Sequence, residues 1–143
     1  MDDPLIENTP DQLLSEIHGK LQEYEGLCGN GSLRDMTRKI VEIQTLLREL
    51  GRSVGISMGL SPSNARQRIK SYFTAYPGEV IDGDELGAIS GISEYARRIR
   101  ELRNSDFIIE TGPEAVDPAT GNPLRPDQYL YLPPEPKKPQ LRT

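Results

Sequence analysis

The sequence has very few residues of the kinds that form disulfides and metal centres. Its 143 residues include one cysteine, Cys28, and one histidine, His18. A single cysteine excludes an internal disulfide, and two soft ligands are too few for a structural zinc site. A Ser/His/Asp or Cys/His catalytic set cannot be assembled around one histidine either. We therefore expect a chain that is not an enzyme and that uses no metal or other cofactor.

Long apolar runs are also missing. No stretch approaches the roughly 18 consecutive apolar residues that span a bilayer. The N-terminal sequence MDDPLIENTP is acidic and lacks the apolar segment of a secretory signal. These absences predict a cytoplasmic location and no membrane partner.

Charge is unevenly distributed along the chain. The formal net charge is −5, and seven acidic residues against one lysine lie within residues 1–31. The densest basic segment is EYARRIRELR, in which four arginines fall within residues 97–103. The overall acidity therefore leaves room for a basic surface elsewhere in the chain.

Residues 1–60 predict a helical hairpin. Thr9 and Pro10 form an N-cap and first-turn pair, the glycine-rich GLCGNGS favours a turn, and a second helix begins at Ser32 and ends before Gly51. Because a lone hairpin buries little surface, the pattern predicts either packing within the chain or a homodimer through residues 10–50 that forms a four-helix bundle. The predicted apolar stripes are Leu14, Ile17, Leu21 and Tyr24 in the first helix, and a heptad repeat of Leu33, Met36, Ile40, Ile43, Leu47 and Leu50 in the second, with Val41, Leu46 and Val54 beside it.

Beyond the turn-like segment GISMGLSPSN, residues 61–132 show short elements with sharp boundaries. A helix through ARQRIKSYFTAY, capped by Ser61, Ser63 or Asn64, is followed by a brief strand at EVI. Asp82 and Glu85 form a capping box for a short helix, and Gly91 suits the left-handed turn after it.

A third helix, residues 93–104, precedes the strand-like runs FIIET and QYLYL, which a proline-containing loop, residues 112–127, connects. Helix, short helix, glycine turn, helix and hairpin is the order of a winged helix-turn-helix domain. We therefore predict a mainly α protein, with a helical hairpin at 1–60, a winged helix-turn-helix domain with a two-stranded β-wing at 61–132, and a proline-rich basic tail or linker at 133–143.

The third helix is the candidate DNA-reading element. Helical periodicity turns Ile92, Tyr95, Ala96, Ile99 and Leu102 inward and Arg97 outward. It leaves Arg98 and Arg100 on the flanks. Arg97 is predicted to donate to guanine, and Arg98 and Arg100 to phosphates. Arg103 lies near the apolar stripe and is expected to cover the edge of the core with its stem or to face the last carbonyls of the helix.

Other predicted DNA contacts lie around this helix. Ser93 is placed at the helix N-terminus, and Glu94 can accept from a cytosine amino group or pair with an arginine. Arg66 and Lys70 on the first helix of the domain are predicted to contact backbone phosphates, and Arg125 in the long loop to reach a minor groove or a phosphate. The alternative is an ordinary solvated helix whose glutamates and arginines pair at spacings of three and four.

The run GDELGAISGISEYARRIRELRNSDFIIETG, together with LRPDQYLYL, resembles the N-terminal winged helix-turn-helix DNA-recognition module of bacterial HNH-type restriction endonucleases. The resemblance covers about residues 63–132, with Tyr95 where the family often has tryptophan. It implies target recognition without catalysis, because an HNH nuclease needs histidines and this chain has only His18.

Taken together, the sequence predicts a sequence-specific double-stranded DNA-binding domain, the target-recognition part of a restriction endonuclease. The alternatives are a protein-interaction adaptor, or a small transcription regulator, on the same scaffold. In the adaptor, the arginines would contact an acidic protein surface.

Overall fold

A computed structural model describes residues 8–134, which form five α-helices and three short β-strands. The structure of these residues is therefore mainly helical, as predicted, with a small antiparallel sheet. Residues 1–7 of the predicted hairpin and 135–143 of the predicted tail lie outside the described residues. The elements are α1 (Pro10–Leu27), α2 (Leu33–Ser57), α3 (Ala65–Ala75), β1 (Val80–Asp82), α4 (Gly83–Ser90), α5 (Tyr95–Arg103), β2 (Ile109–Thr111) and β3 (Gln128–Tyr131).

Both helices of the hairpin begin where the sequence predicts. The Thr9 hydroxyl accepts a hydrogen bond from the Gln12 amide, and the Gln12 side chain accepts from the Thr9 amide. The Ser32 hydroxyl accepts from the Asp35 amide at 3.0 Å. These caps satisfy backbone donors that have no partner inside a helix, which fixes the two helix starts.

The contact between α1 and α2 follows the predicted stripes only in part. Leu13 and Ile17 of α1 are buried against Leu46 of α2, with Leu50 packed beside them, and of these Ile17 and Leu50 belong to the predicted stripes. Leu14 and Leu47, which the predicted stripes turned inward, are 46% and 49% exposed. The heptad repeat therefore enters the contact only at Leu50, whereas Leu33, Ile40 and Leu47 are exposed beside it.

Helix α2 continues past its predicted end at Gly51 and includes the first residues of the segment predicted as a linker. Its two glycines lie within the helix, and α4 packs closely against Gly51. A Cβ on Gly51 would lie 2.0 Å from the carbonyl oxygen of Ala88, and a Cβ on Gly55 would lie 2.8 Å from Leu60. Glycine is needed here because α2 meets the backbone of α4.

Helices α3, α4 and α5 surround one apolar core with the sheet. Asn64 is the N-cap of α3, one of the three predicted caps, and accepts from the Gln67 amide. Glu85 accepts from the Asp82 amide, as expected of a capping box, and also from the Tyr72 hydroxyl at 2.7 Å. The core residues are Ile69, Phe73, Ile81, Leu86, Ile99, Leu102, Ile109, Tyr129 and Tyr131.

The sheet has three strands in the order β1-β3-β2, all antiparallel, with Val80 opposite Leu130 and Ile109 opposite Tyr131. The predicted hairpin strands are β2 and β3, and the brief strand predicted at EVI joins them as β1. In the connecting loop, Ala115 and Leu124 are buried beside β3. This small cluster anchors the base of the loop to the domain.

Candidate nucleic-acid interface

The turn between α4 and α5 has the predicted glycine but a later helix start. Gly91 adopts φ 74° and ends α4. Helix α5 then begins at Tyr95, because Glu94 takes a non-helical conformation with φ −97° and ψ 48°. Ser93 and Glu94 are therefore exposed in the segment before α5, and the predicted range 93–104 is corrected to Tyr95–Arg103.

The rotation of α5 about its axis also differs from the prediction. Ile99 and Leu102 are buried and Tyr95 is partly buried, as expected, but Ala96 is exposed. Arg98 is half-buried, because α3 packs against that side of α5. By helical periodicity the centre of the outward face is therefore close to Arg100.

The outward face of α5 carries three guanidinium groups and one small residue. Arg97 is 62% exposed, and Arg100 and Arg103 are also exposed. Ala96 lies one helical turn before Arg100 on the same face. The prediction that Arg103 covers the core edge or faces the last carbonyls of the helix stays a prediction. Burial raises the pKa of the Tyr129 hydroxyl, and the positive charges of Arg103 and Arg100 oppose that rise.

Glu101 is the centre of an arginine cluster. Its carboxylate lies 2.9 Å from Arg98 Nη1, 3.7 Å from Arg97 Nε and 3.8 Å from Arg66 Nη1. One carboxylate therefore holds three predicted DNA contacts from α3 and α5 together while leaving the group positively charged. Of the glutamate pairings predicted within α5, those of Glu101 are present.

A groove at the start of α5 includes a residue that the sequence did not suggest. Arg48 of α2 lines it with Gly91, Ser93, Arg97 and other residues of the turn. The close contact of α2 with α4 brings Arg48 there. Only Gly51 and Gly55 indicate this contact in the sequence, and a glycine inside a helix does not reveal which element it meets.

The remaining predicted contacts lie against other parts of the domain. The Lys70 ammonium lies 5.7 Å from the centre of the Phe107 ring, a cation–π contact on the exposed side of α3. Arg125 lies 3.4 Å from Asp127 and 3.7 Å from Asp82, which ties it to the start of α4. Both side chains remain accessible to a ligand, with Arg125 65% exposed.

Within residues 8–134, no group of three or more histidine, cysteine and acidic side chains is arranged to hold a metal ion. The helices of the same residues include none that is long and apolar enough to cross a bilayer. Cys28 is exposed in the turn between α1 and α2.

The segment that carries this interface is similar to a known family. Residues 66–131 match the family model described as the KpnI N-terminal domain. The match suggests a restriction-endonuclease N-terminal domain, and it spans α3 to β3 except for the first residue of α3. The KpnI-matched segment therefore contains the Glu101 cluster and the outward face of α5, whereas the hairpin and Arg48 lie outside it. Searches of curated proteins and of solved structures give no significant match.

Proposed function

We propose that the KpnI-matched segment is a sequence-specific duplex DNA-binding domain of the winged helix-turn-helix type, the target-recognition part of an HNH restriction endonuclease. The observation that carries the proposal is the orientation of α5. Its apolar side is buried, and Arg97, Arg100 and Arg103 project outward from one face. A helix with such a face fits the major groove, where arginine donates to guanine O6 and N7.

The order of elements supports the same proposal. Helix α3, strand β1, helices α4 and α5, and the hairpin of β2 and β3 follow one another as in winged helix-turn-helix domains. In such domains the last helix reads the major groove and the hairpin flanks it. The Gly91 turn and the Glu85 cap, both of which the sequence predicts, set the angle between α4 and α5.

We base the proposed roles within the site on the outward face of α5. Arg97 and Arg100 are the candidate base readers, and the small side chain of Ala96 lets the helix backbone approach the base edges, where a methyl group suits thymine. Cations around the face are the candidate phosphate contacts: Arg66, Arg98, Lys70, Arg125 and, from α2, Arg48. Ser93 and Glu94 precede the helix at the groove that Arg48 lines and complete the site.

We propose that this chain recognises DNA and does not cleave it. An HNH nuclease uses histidines to hold a metal and activate water. The only histidine, His18, lies on α1, outside the KpnI-matched segment. We also infer that the hairpin joins two copies of the chain. A homodimer predicts a target with two half-sites separated by a whole number of helical turns.

Selection from a random duplex library, followed by binding measurements, tests the proposal. Wild-type protein is expected to enrich one sequence, with an affinity that falls steeply as salt is added. On that sequence Arg97→Ala is expected to lose about 1–3 kcal/mol of binding free energy and to relax the sequence preference at one base pair. Lys70→Ala is expected to weaken binding to selected and random duplexes alike. Arg38→Ala, at an exposed arginine of α2, is the control and is expected to change neither.

Two outcomes contradict the proposal. Equal losses for Arg97→Ala on selected and random DNA would remove its role as a base reader. If micromolar wild-type protein failed to retard any duplex at low salt, DNA binding itself would be wrong, and the interaction adaptor would be favoured instead.

A further inference from the structure

One face of the helical hairpin is apolar, and no other part of residues 8–134 covers it. Its residues recur every seven positions, Leu14 and Leu21 on α1 and Leu33, Ile40, Leu47 and Val54 on α2, and we call them the heptad face. Their exposed fractions run from 37% for Val54 to 82% for Leu33. None of them belongs to the contact between α1 and α2, which Leu13, Ile17 and Leu46 form.

The heptad face is one continuous surface on one side of the hairpin. Ion pairs bridge the two helices at 2.9 Å between Lys20 and Glu42 and at 2.6 Å between Lys39 and Glu23. Helical periodicity places these charged side chains on one side of the helix contact and the heptad leucines on the other. The hairpin is thus amphipathic as a unit, with the apolar side left open.

The exposed area of the face and its seven-residue repeat both favour packing against other helices. The six side chains expose on the order of 500 Å² of apolar surface, and monomeric soluble proteins rarely expose more in one patch. A strict seven-residue period matches partner helices that supercoil against α1 and α2, with side chains inserting as knobs into holes. Two such faces together reach roughly 1,000 Å², the size at which specific interfaces begin.

We propose that a second copy of this chain covers the heptad face, with the two-fold axis parallel to the helices, so that α1 of each copy packs on α2 of the other. The proposal rests on the homodimer inferred above and specifies its surface and geometry. Charge favours this arrangement of a second copy, since the outer flank of the face on α1 carries the acids Asp11 and Glu25, whereas that on α2 carries the uncharged Thr37 and Gln44. The stated axis keeps the two acidic flanks apart and brings Glu25 of each copy to the level of Thr37 in the other.

The dimer relates the two α5 helices by the same two-fold axis. Two α5 faces so related read the same bases on opposite strands, which predicts an inverted repeat as the DNA target. This consequence holds only if the proposed function is correct, whereas the dimer itself does not depend on DNA.

The test is the mass of the full chain in solution, measured by sedimentation equilibrium over a range of concentrations. Wild type is expected to be a dimer, and Ile40→Glu and Leu47→Glu are each expected to weaken dimerisation by at least 100-fold. Val116→Glu is the matched control, since Val116 has the same 49% exposure as Leu47 but lies in the loop of the sheet. It is expected to leave the dimer unchanged. If circular dichroism shows that the glutamate variants lose helix, the double variant Ile40→Ala with Leu47→Ala gives the same test with helix propensity retained.

The orientation has its own test in charge placement. Thr37→Glu is expected to weaken the dimer, since it sets an acid against Glu25 of the other copy, and adding Glu25→Arg is expected to restore it. A monomeric wild type at every concentration, or a dimer that survives both heptad substitutions, would overturn the proposal. Loss of the dimer in Thr37→Glu without recovery in the double variant would overturn the stated axis.

DNA binding separates this proposal from the proposed function. A folded monomeric variant is expected to retard random duplex at low salt, because its α5 face is intact. Wild-type protein that dimerises through the heptad face but retards no duplex would refute the DNA-binding proposal and still support the dimer.

Discussion

Replacing Gly51 by alanine tests whether α2 and α4 are locked together through glycine. The added methyl carbon would lie 2.0 Å from the carbonyl oxygen of Ala88 and 2.8 Å from its carbonyl carbon. Both are backbone atoms in the middle of α4, so the methyl group cannot be accommodated by rotating a side chain. Helix α2 must move away from α4, which opens the contact of Arg48 with Gly91 in the α4–α5 turn.

The expected loss follows from two opposing effects. Alanine in place of glycine inside a helix stabilises by roughly 0.5–1 kcal/mol when the site is open. Overpacking against a fixed neighbour typically costs about 1–3 kcal/mol and sometimes more. The clash wins at this distance, and we expect Gly51→Ala to lower the free energy of unfolding by about 2 kcal/mol, or the melting temperature by roughly 5–10 °C.

Gly19 provides the matched control. It lies inside α1, and a Cβ built there meets nothing within 4 Å. Gly19→Ala is therefore expected to raise the melting temperature by roughly 2–4 °C through helix propensity alone. Thermal unfolding followed by circular dichroism measures both variants, and Gly51→Ala as stable as Gly19→Ala would refute the close packing of α2 on α4.

Two further predictions concern the contacts that position α4. Arg68 is 4% exposed and donates to the Ser90 carbonyl at 2.7 Å. Arg68→Met leaves that carbonyl without its charged donor and is expected to lower the free energy of unfolding, measured in urea, by about 1.5–3 kcal/mol. Unchanged stability would contradict this prediction. The pKa of the Tyr72 hydroxyl is raised, first by burial and then by Glu85, so the folded state holds this proton where the unfolded chain releases it. Wild type is therefore expected to lose stability as the pH rises above about 10, and Tyr72→Phe is expected to lose less over the same range. Urea unfolding at each pH measures both proteins, and parallel curves of unfolding free energy against pH would contradict the prediction.

The KpnI-matched segment was the part most predictable from sequence. Its boundaries depend on local chemistry, such as the Asn64 cap, the Glu85 capping interaction and the Gly91 turn, which operate within a few residues. The rotation of α5 was harder to predict, because periodicity gives the apolar side only to within a residue or so. Packing of α3 against one flank of α5 decided that Ala96 faces outward.

The hairpin shows the same division between local signals and packing. Local sequence signals predict its caps and its turn. Helix α2, however, has two apolar stripes, and both have helical spacing. Periodicity alone cannot say which stripe α1 covers, so Leu46 was assigned beside the seam although it lies in the contact.

The sequence by itself determined the element types, most helix starts and the positive charge concentrated on α5, because these depend on neighbours along the chain. Tertiary structure alone decided that α2 continues through Gly51, that Arg48 lies beside the start of α5, and that the heptad face is left uncovered. The physical reason is that a contact between distant segments depends on the shapes of both surfaces, whereas the sequence of one segment determines only the surface of that segment.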